Sequence, residues 1–203
     1  MTQWVENPEG GRERGPVGLF RAWVEVLVRP RWFFRSRVAP GDQAPGVTFA
    51  AAIVLAAEAT RVGLFGGGYP VVGGQPTLSA VLWVSLVTVL VAPAGIHLVA
   101  ALQTLLLMGA ADERAGVSET VQVICYALAP CVLVGVPSVA VQALAAVWGG
   151  GLLVVGLATV HDLPPARALA VAAVPGVLVF GYGFGGNGAV FAVFEGVRTA
   201  GPF

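Results

Sequence analysis

The sequence predicts an all-α integral membrane protein: a bundle of five transmembrane helices preceded by an amphipathic interfacial helix. Two observations carry that prediction. Of 203 residues, 57% are hydrophobic and only 11% charged, against roughly 25% charged in a soluble domain, and the mean hydropathy is +0.83. So few charges cannot cover a core with polar surface, whereas a lipid-facing surface needs no such cover, because hydrocarbon tails are as apolar as leucine. The charges are also missing in long blocks: none falls between Arg61 and Asp112, between Glu119 and Asp162, or between Arg167 and Glu195. A formal net charge of zero leaves no basic excess for a nucleic-acid partner and no acidic solvating tail.

Residues 1–16 read as a flexible N-terminal segment and residues 17–43 as the interfacial one. The first forty residues are arginine-rich and have no apolar run before a small-residue cleavage site, so no secretory signal peptide is expected. Phe20, Trp23, Val24, Leu27 and Val28 fall at helical spacing, Arg21, Glu25 and Arg29 lie four apart on another face, and Pro30 ends the run. Such a helix lies in the membrane plane with its arginines facing anionic headgroups and Trp23 at the boundary. Trp32, Phe33 and Phe34, interleaved with Arg31, Arg35 and Arg37, extend the same pattern.

The spans follow. A crossing needs about 20 apolar residues because every backbone amide must be satisfied within the helix. The charge-poor blocks place spans at about 46–65, 78–108, 119–136, 138–160 and 166–190, together a domain of residues 44–192, with a C-terminal tail at 193–203. Pro137 divides the block from Glu119 to Asp162, because proline cannot continue the hydrogen-bond ladder. The piece from Val121 to Val136 is lean for a crossing, which leaves a four-span arrangement with a shallow or re-entrant segment as the alternative. Arg12, Arg14, Arg21, Arg29, Arg31, Arg35 and Arg37 precede the first span, and Arg114 and Arg167 fall on the same side of a five-span chain. An excess of this kind predicts a cytoplasmic N-terminus in a multi-pass protein of the cell membrane.

An ionisable residue within a span is a functional candidate because its burial in hydrocarbon costs several kcal/mol on most scales. Glu58 and Arg61, three apart near the end of the first span, pair on one helix face. His97 reads as a buried, hydrogen-bonded histidine, and Gln103, six residues on, points elsewhere. Glu119 follows Ser118 at the start of the third span, where exposed amides stabilise a carboxylate. His161 and Asp162 adjoin in a short loop, without the further ligands of a metal site or the nucleophile of a catalytic one. Cys125 and Cys131 lie on different helix faces, too far apart for a disulfide. Gly181-Tyr182-Gly183-Phe184-Gly185-Gly186 fits a dinucleotide fingerprint literally but lacks the strand before it; these glycines permit close helix approach or end the span. No catalytic, cofactor-binding or metal-binding residue is assigned.

Three stretches taken in order carry a resemblance. They are Trp23-Val24-Glu25-Val26-Leu27-Val28-Arg29-Pro30 followed by Phe33-Phe34, then Ser118-Glu119-Thr120-Val121-Gln122-Val123-Ile124-Cys125-Tyr126-Ala127-Leu128-Ala129-Pro130, then Val136-Pro137, Trp148 and Gly156-Leu157 leading to His161-Asp162-Leu163 and Pro165-Ala166-Arg167-Ala168. Together they resemble the prokaryotic branch of the Yip family, over residues 19 to 176. The resemblance implies a five-helix membrane domain with a cytoplasmic N-terminus and a role in interaction, with Glu119, Tyr126, Pro130, Pro137 and His161 serving structure or contact. Eukaryotic members associate with Rab GTPases and vesicle membranes; this chain has no long cytoplasmic tail and no Asp-Leu-Tyr-Gly-Pro stretch, so a GTPase partner is not carried across.

Two function classes follow. One is a non-enzymatic protein that organises membranes through lipid, through a membrane-protein partner or through copies of itself. Its candidate contacts are Trp23, Arg29, Arg31 and Arg35, and anionic lipid is the expected ligand of the N-terminal helix. The other is a small transporter or channel that gathers Glu58, Arg61, His97 and Gln103 around one wet cavity.

Overall fold

The protein is seen here as a computed structural model that describes residues 15–111 and 114–199, with side chains through 196, and the backbone of two short strands, Val5–Glu6 and Arg12–Glu13, paired antiparallel. The remainder of the expected flexible segment 1–16, including Arg14 but not the helical residues 15 and 16, and the tail beyond 199 lie outside the described residues. The bundle is helical throughout: α1 Gly15–Val28, α2 Pro30–Arg37, α3 Ala44–Leu64, α4 Pro76–Ala110, α5 Val117–Ala127, a 3₁₀ segment Ala129–Gly135, α6 Val139–Val160, α7 Pro165–Gly183 and α8 Gly186–Thr199. Pro30, Pro45, Pro76 and Pro165 stand in the first two positions of α2, α3, α4 and α7, where a missing N–H costs nothing and the fixed φ suits the helix.

Helices α3, α4, α6 and α7 are each long and apolar enough to cross a bilayer, and α5 with the 3₁₀ segment passes as a pair bent by 42°. The bend sits at Leu128–Ala129, just before Pro130. The pair runs the length of α3. Gly46, near the start of α3, packs on the Gln122 backbone and Cys125, and Gly135, at the far end of the pair, packs on Ala57, Thr60 and Arg61. With 11 α and 7 3₁₀ residues, rising about 1.5 and about 2.0 Å each, the path reaches about 30 Å. The steeper 3₁₀ rise is what gives so short a segment the length of a crossing.

The last span differs from the expected 166–190. Gly185 takes φ +71°, a left-handed turn that glycine adopts without a Cβ penalty, and it ends α7 and starts α8. Gly186 then meets Ala146 of α6 and the Phe180 carbonyl too closely for any side chain, Ala189 is buried, and residues 191–196 are exposed.

Prolines inside spans leave carbonyls without donors, and the fold answers each locally. Ahead of Pro93 the chain of α4 widens into a π turn over Val87–Val91. Pro175 cannot donate to the carbonyl of Val171 four residues earlier; the buried Gln103 Nε2 donates to it instead at 3.1 Å. Gln142 Nε2 donates to the Val134 and Val136 carbonyls around Pro137 at 3.3 and 3.2 Å. Gln122 clasps Ala39 at both backbone groups, accepting from its N–H at 3.1 Å and donating to its carbonyl at 2.7 Å, which fastens the link between α2 and α3 to α5.

Candidate functional site

α1 and α2 are docked on the bundle. Gly18, Ala22 and Val26, four apart along α1, form its buried face, and Trp23 Nε1 donates to the Ala129 carbonyl at 2.9 Å. Trp23 is half-buried, and its N–H bonds inward at the bend of the α5 pair. Phe33 and Phe34, expected to extend the interfacial anchor, stand in the core instead. They are 0% and 1% exposed; Phe33 stands edge-on to Tyr126 at 4.8 Å and Phe49 lies 5.1 Å from the same ring, while Phe34 presses against the glycine face of α6 at Gly156. Tyr126 and Pro130 are both buried in this part of the core.

The outer side of α1 and α2 is different in kind. Val17, Phe20, Val24 and Val28 remain exposed, and so do Arg21, Arg29, Arg31 and Arg35. Arg37 pairs with Glu25 at 3.5 Å and lies over the Trp32 ring at 4.8 Å. At the joint between the helices, Arg29, Pro30, Arg31, Trp32 and Val155 of α6 line an open recess of about 390 Å³. Arg29 and Arg31 are exposed beside this mainly apolar recess, and a guanidinium group matches phosphate in a bidentate way. Exposed apolar side chains flanked by arginines are the chemistry of a membrane interface.

Glu58 and Arg61 lie at the opposite end of the bundle. Arg61 Nη2 and Nε reach the Glu58 carboxylate at 2.6 and 3.2 Å, Trp83 Nε1 donates to the same carboxylate at 3.2 Å, and Arg61 Nη1 donates to the Gly68 carbonyl at 2.8 Å. The pairing expected of these two residues is present, with a tryptophan added from α4. His97 is exposed, where a buried position had been expected. Its Nδ1 lies 2.7 Å from the Pro93 carbonyl, a bond within its own helix. Gln103 is committed to Val171, so the polar residues of the transporter reading do not gather around one cavity.

Glu119 sits in the first turn of α5 with its carboxylate folded back beside Gly116, the residue that precedes the helix. His161 is 2% exposed in the loop after α6. Its Nε2 is 3.4 Å from Thr120 Oγ1, and its Nδ1 is buried without a hydrogen-bond partner. Burial, and secondly the Arg114 charge, push it down to about 4, so it is neutral at pH 7. Between about pH 4 and an unfolded value near 6.5 the unfolded chain binds more protons, and acidification through that window therefore destabilises the fold. We expect stability in detergent to fall by about 1.6 kcal/mol as pH drops from 6.5 to 5, read as a lower thermal transition, and the His161→Asn variant to lose that part of the dependence. An unchanged pH profile in the variant would assign the acid sensitivity elsewhere.

Cys125 and Cys131 are buried free thiols. Among the described residues no group of three or more His, Cys, Asp or Glu is placed to hold a metal ion.

Sequence reasoning singled out Gln103 but not its partner, and missed Gln122, Gln142 and Trp83. Their partners lie 4 to 83 residues away, and the nearest readable signal was the proline four residues after Val171.

Comparison with curated proteins and with solved structures finds no match. The family model of the Yip1 domain matches residues 24–186, from the second half of α1 to the first residue of α8. With a match over that length on a helical membrane bundle, the chain belongs to the Yip1 domain family of multi-pass membrane proteins.

Proposed function

We propose that this Yip1-domain chain organises membranes by interaction and performs no chemistry of its own. In this reading the N-terminus is cytoplasmic, the protein resides in the cell membrane, and the docked α1–α2 pair reads anionic lipid of the cytoplasmic leaflet. The observation that carries it is the mainly apolar recess at the α1–α2 joint, beside which Arg29 and Arg31 are exposed, with Arg35 exposed nearby. Hydrogen bonds and packing hold the arginines on a platform: the Trp23 bond fastens α1, the buried rings of Phe33 and Phe34 fasten α2, and the Gln122 bonds fasten its exit. A membrane-protein partner or a second copy of the chain is the further contact in this proposal.

The test is affinity capture from nanodiscs with proteins and lipids both identified by mass spectrometry. Deleting residues 1–40 would remove Phe33 and Phe34 from the core, so the informative variant is Arg29→Gln/Arg31→Gln/Arg35→Gln, which touches exposed side chains alone. At about 1 kcal/mol per arginine near a charged leaflet, the variant is expected to lose co-purified anionic lipid by at least about tenfold. Unchanged lipid and partner recovery would refute the reading.

A further inference from the structure

A second cavity, of about 220 Å³, lies between α3, α4, the 3₁₀ segment and α7. Val54, Ala57, Ile96, Leu128 and Val179 form its walls, and Glu58 is the single ionisable residue on them. Its position follows from backbone irregularities. Val87 and Val91 belong to the π turn of α4, Val179 and Gly183 to a π turn of α7 over Val177–Gly183, and Glu58 stands just before a π turn of α3 over Thr60–Leu64. The π turns of α4 and α7 both line this void, and that of α3 begins two residues past Glu58. π turns inside helices are often found at functional sites.

The medium beside the cavity is hydrocarbon. Its rim residues Val91, Gly95, Leu178 and Gly183 are exposed on membrane-spanning helices. The void exceeds the ~150 Å³ apolar cavity that stays dry and admits benzene, and water has one polar side chain to meet there. At one end the Glu58 carboxylate is held by Arg61 and Trp83, with carboxylate lone pairs left to accept from a further donor.

We propose that this cavity binds one hydrocarbon chain of a membrane lipid, which enters sideways between α4 and α7 with a hydrogen-bond-donating head of the primary-ammonium class at Glu58. A quaternary head cannot donate, so the site favours the ammonium lipid over its trimethylated counterpart. This site is separate from the arginine recess, at the other end of the bundle, and stands independently of the proposed function.

The full chain in nanodiscs containing a phosphatidylethanolamine analogue with a diazirine in its acyl chain, or the matching phosphatidylcholine analogue, tests the proposal by photolabelling. Gly95 lines the cavity with open space where a Cβ would stand, so Gly95→Leu is the first filler; Ala92→Leu is the second, and Gly109→Leu, open and outside the cavity, is the control. Labelling is expected on α4 and α7 wall residues, to fall at least about fivefold in either filler and to persist in the control. It is expected to persist also in the arginine triple variant, which separates this result from failure of the proposed function. Glu58→Gln is expected to reduce the preference for the ethanolamine lipid. Labelling spread over the lipid-facing surface and insensitive to both fillers would overturn the site, and equal labelling by the two lipids in the unmodified protein would overturn the assignment of the head.

Discussion

Gly135→Ala is expected to lower the thermal transition of the purified protein sharply, by about 3 kcal/mol in stability, the upper part of the range for overpacking. A Cβ at this position would overlap the Ala57 carbonyl and stand 2.9 Å from the Thr60 Cβ and 3.1 Å from the Arg61 nitrogen. The first and last of these are backbone atoms of α3, which no rotamer change can move aside. The 3₁₀ segment would have to lift off α3 at the far end of the α5 pair. Gly109→Ala, with open space at the same atom, is the matched control and should be neutral or slightly stabilising, since alanine is the better helix former. Fluorescence-detected size-exclusion chromatography after a temperature series reads both. Equal transitions in the two variants would show that the 3₁₀ segment does not pack on α3 in this way.

Phe34→Ala is expected to cost about 3–5 kcal/mol, the range for emptying a buried phenylalanine site, and to reduce the yield of folded protein. Its ring is 1% exposed and fills the space above Gly156 of α6. The neighbouring aromatic Trp32 is 46% exposed, and Trp32→Ala should leave the transition within about 0.5 kcal/mol, as surface substitutions do. The contrast separates two roles that a run of alternating arginine and aromatic residues can play. Were α2 only a membrane-surface anchor, both substitutions would spare the fold and weaken lipid contact.

Those two residues show where the sequence is readable and where it is not. Charge-free blocks such as Arg61 to Asp112 locate spans because hydrocarbon penalises every charge, whatever its neighbours. Glu58 and Arg61 were legible as a pair because helical spacing alone brings them together. Phe33 and Phe34 were not: the same apolar, aromatic and basic pattern serves a lipid boundary and a core, and only the approach of Tyr126 and Gly156 from distant helices decides between them. His97 was read as buried from its place in a span, yet a lipid-facing histidine can satisfy itself on the carbonyl four residues back, as this one does at Pro93. The end of α7 was marked by Gly185 and Gly186, but a run of glycines fits close packing as well as a turn, and the positive φ at Gly185 is a tertiary outcome. Gln103 illustrates the third case. The carbonyl orphaned by Pro175 was predictable, whereas the donor 68 residues away was not.

In the proposed function, α1 and α2 form a docked platform whose arginines select anionic lipid. The most direct measurement is the ratio of anionic to zwitterionic lipid retained by the protein after stepwise delipidation from nanodiscs of known composition, at low and high salt, with and without the Arg29→Gln/Arg31→Gln/Arg35→Gln substitutions. The expected result is enrichment of anionic lipid over the bulk composition, weakened by salt as exposed charges are screened, and reduced to the bulk ratio in the triple variant with its thermal transition unchanged. A retained ratio equal to the bulk in the unmodified protein, or an enrichment untouched by the substitutions, would contradict it.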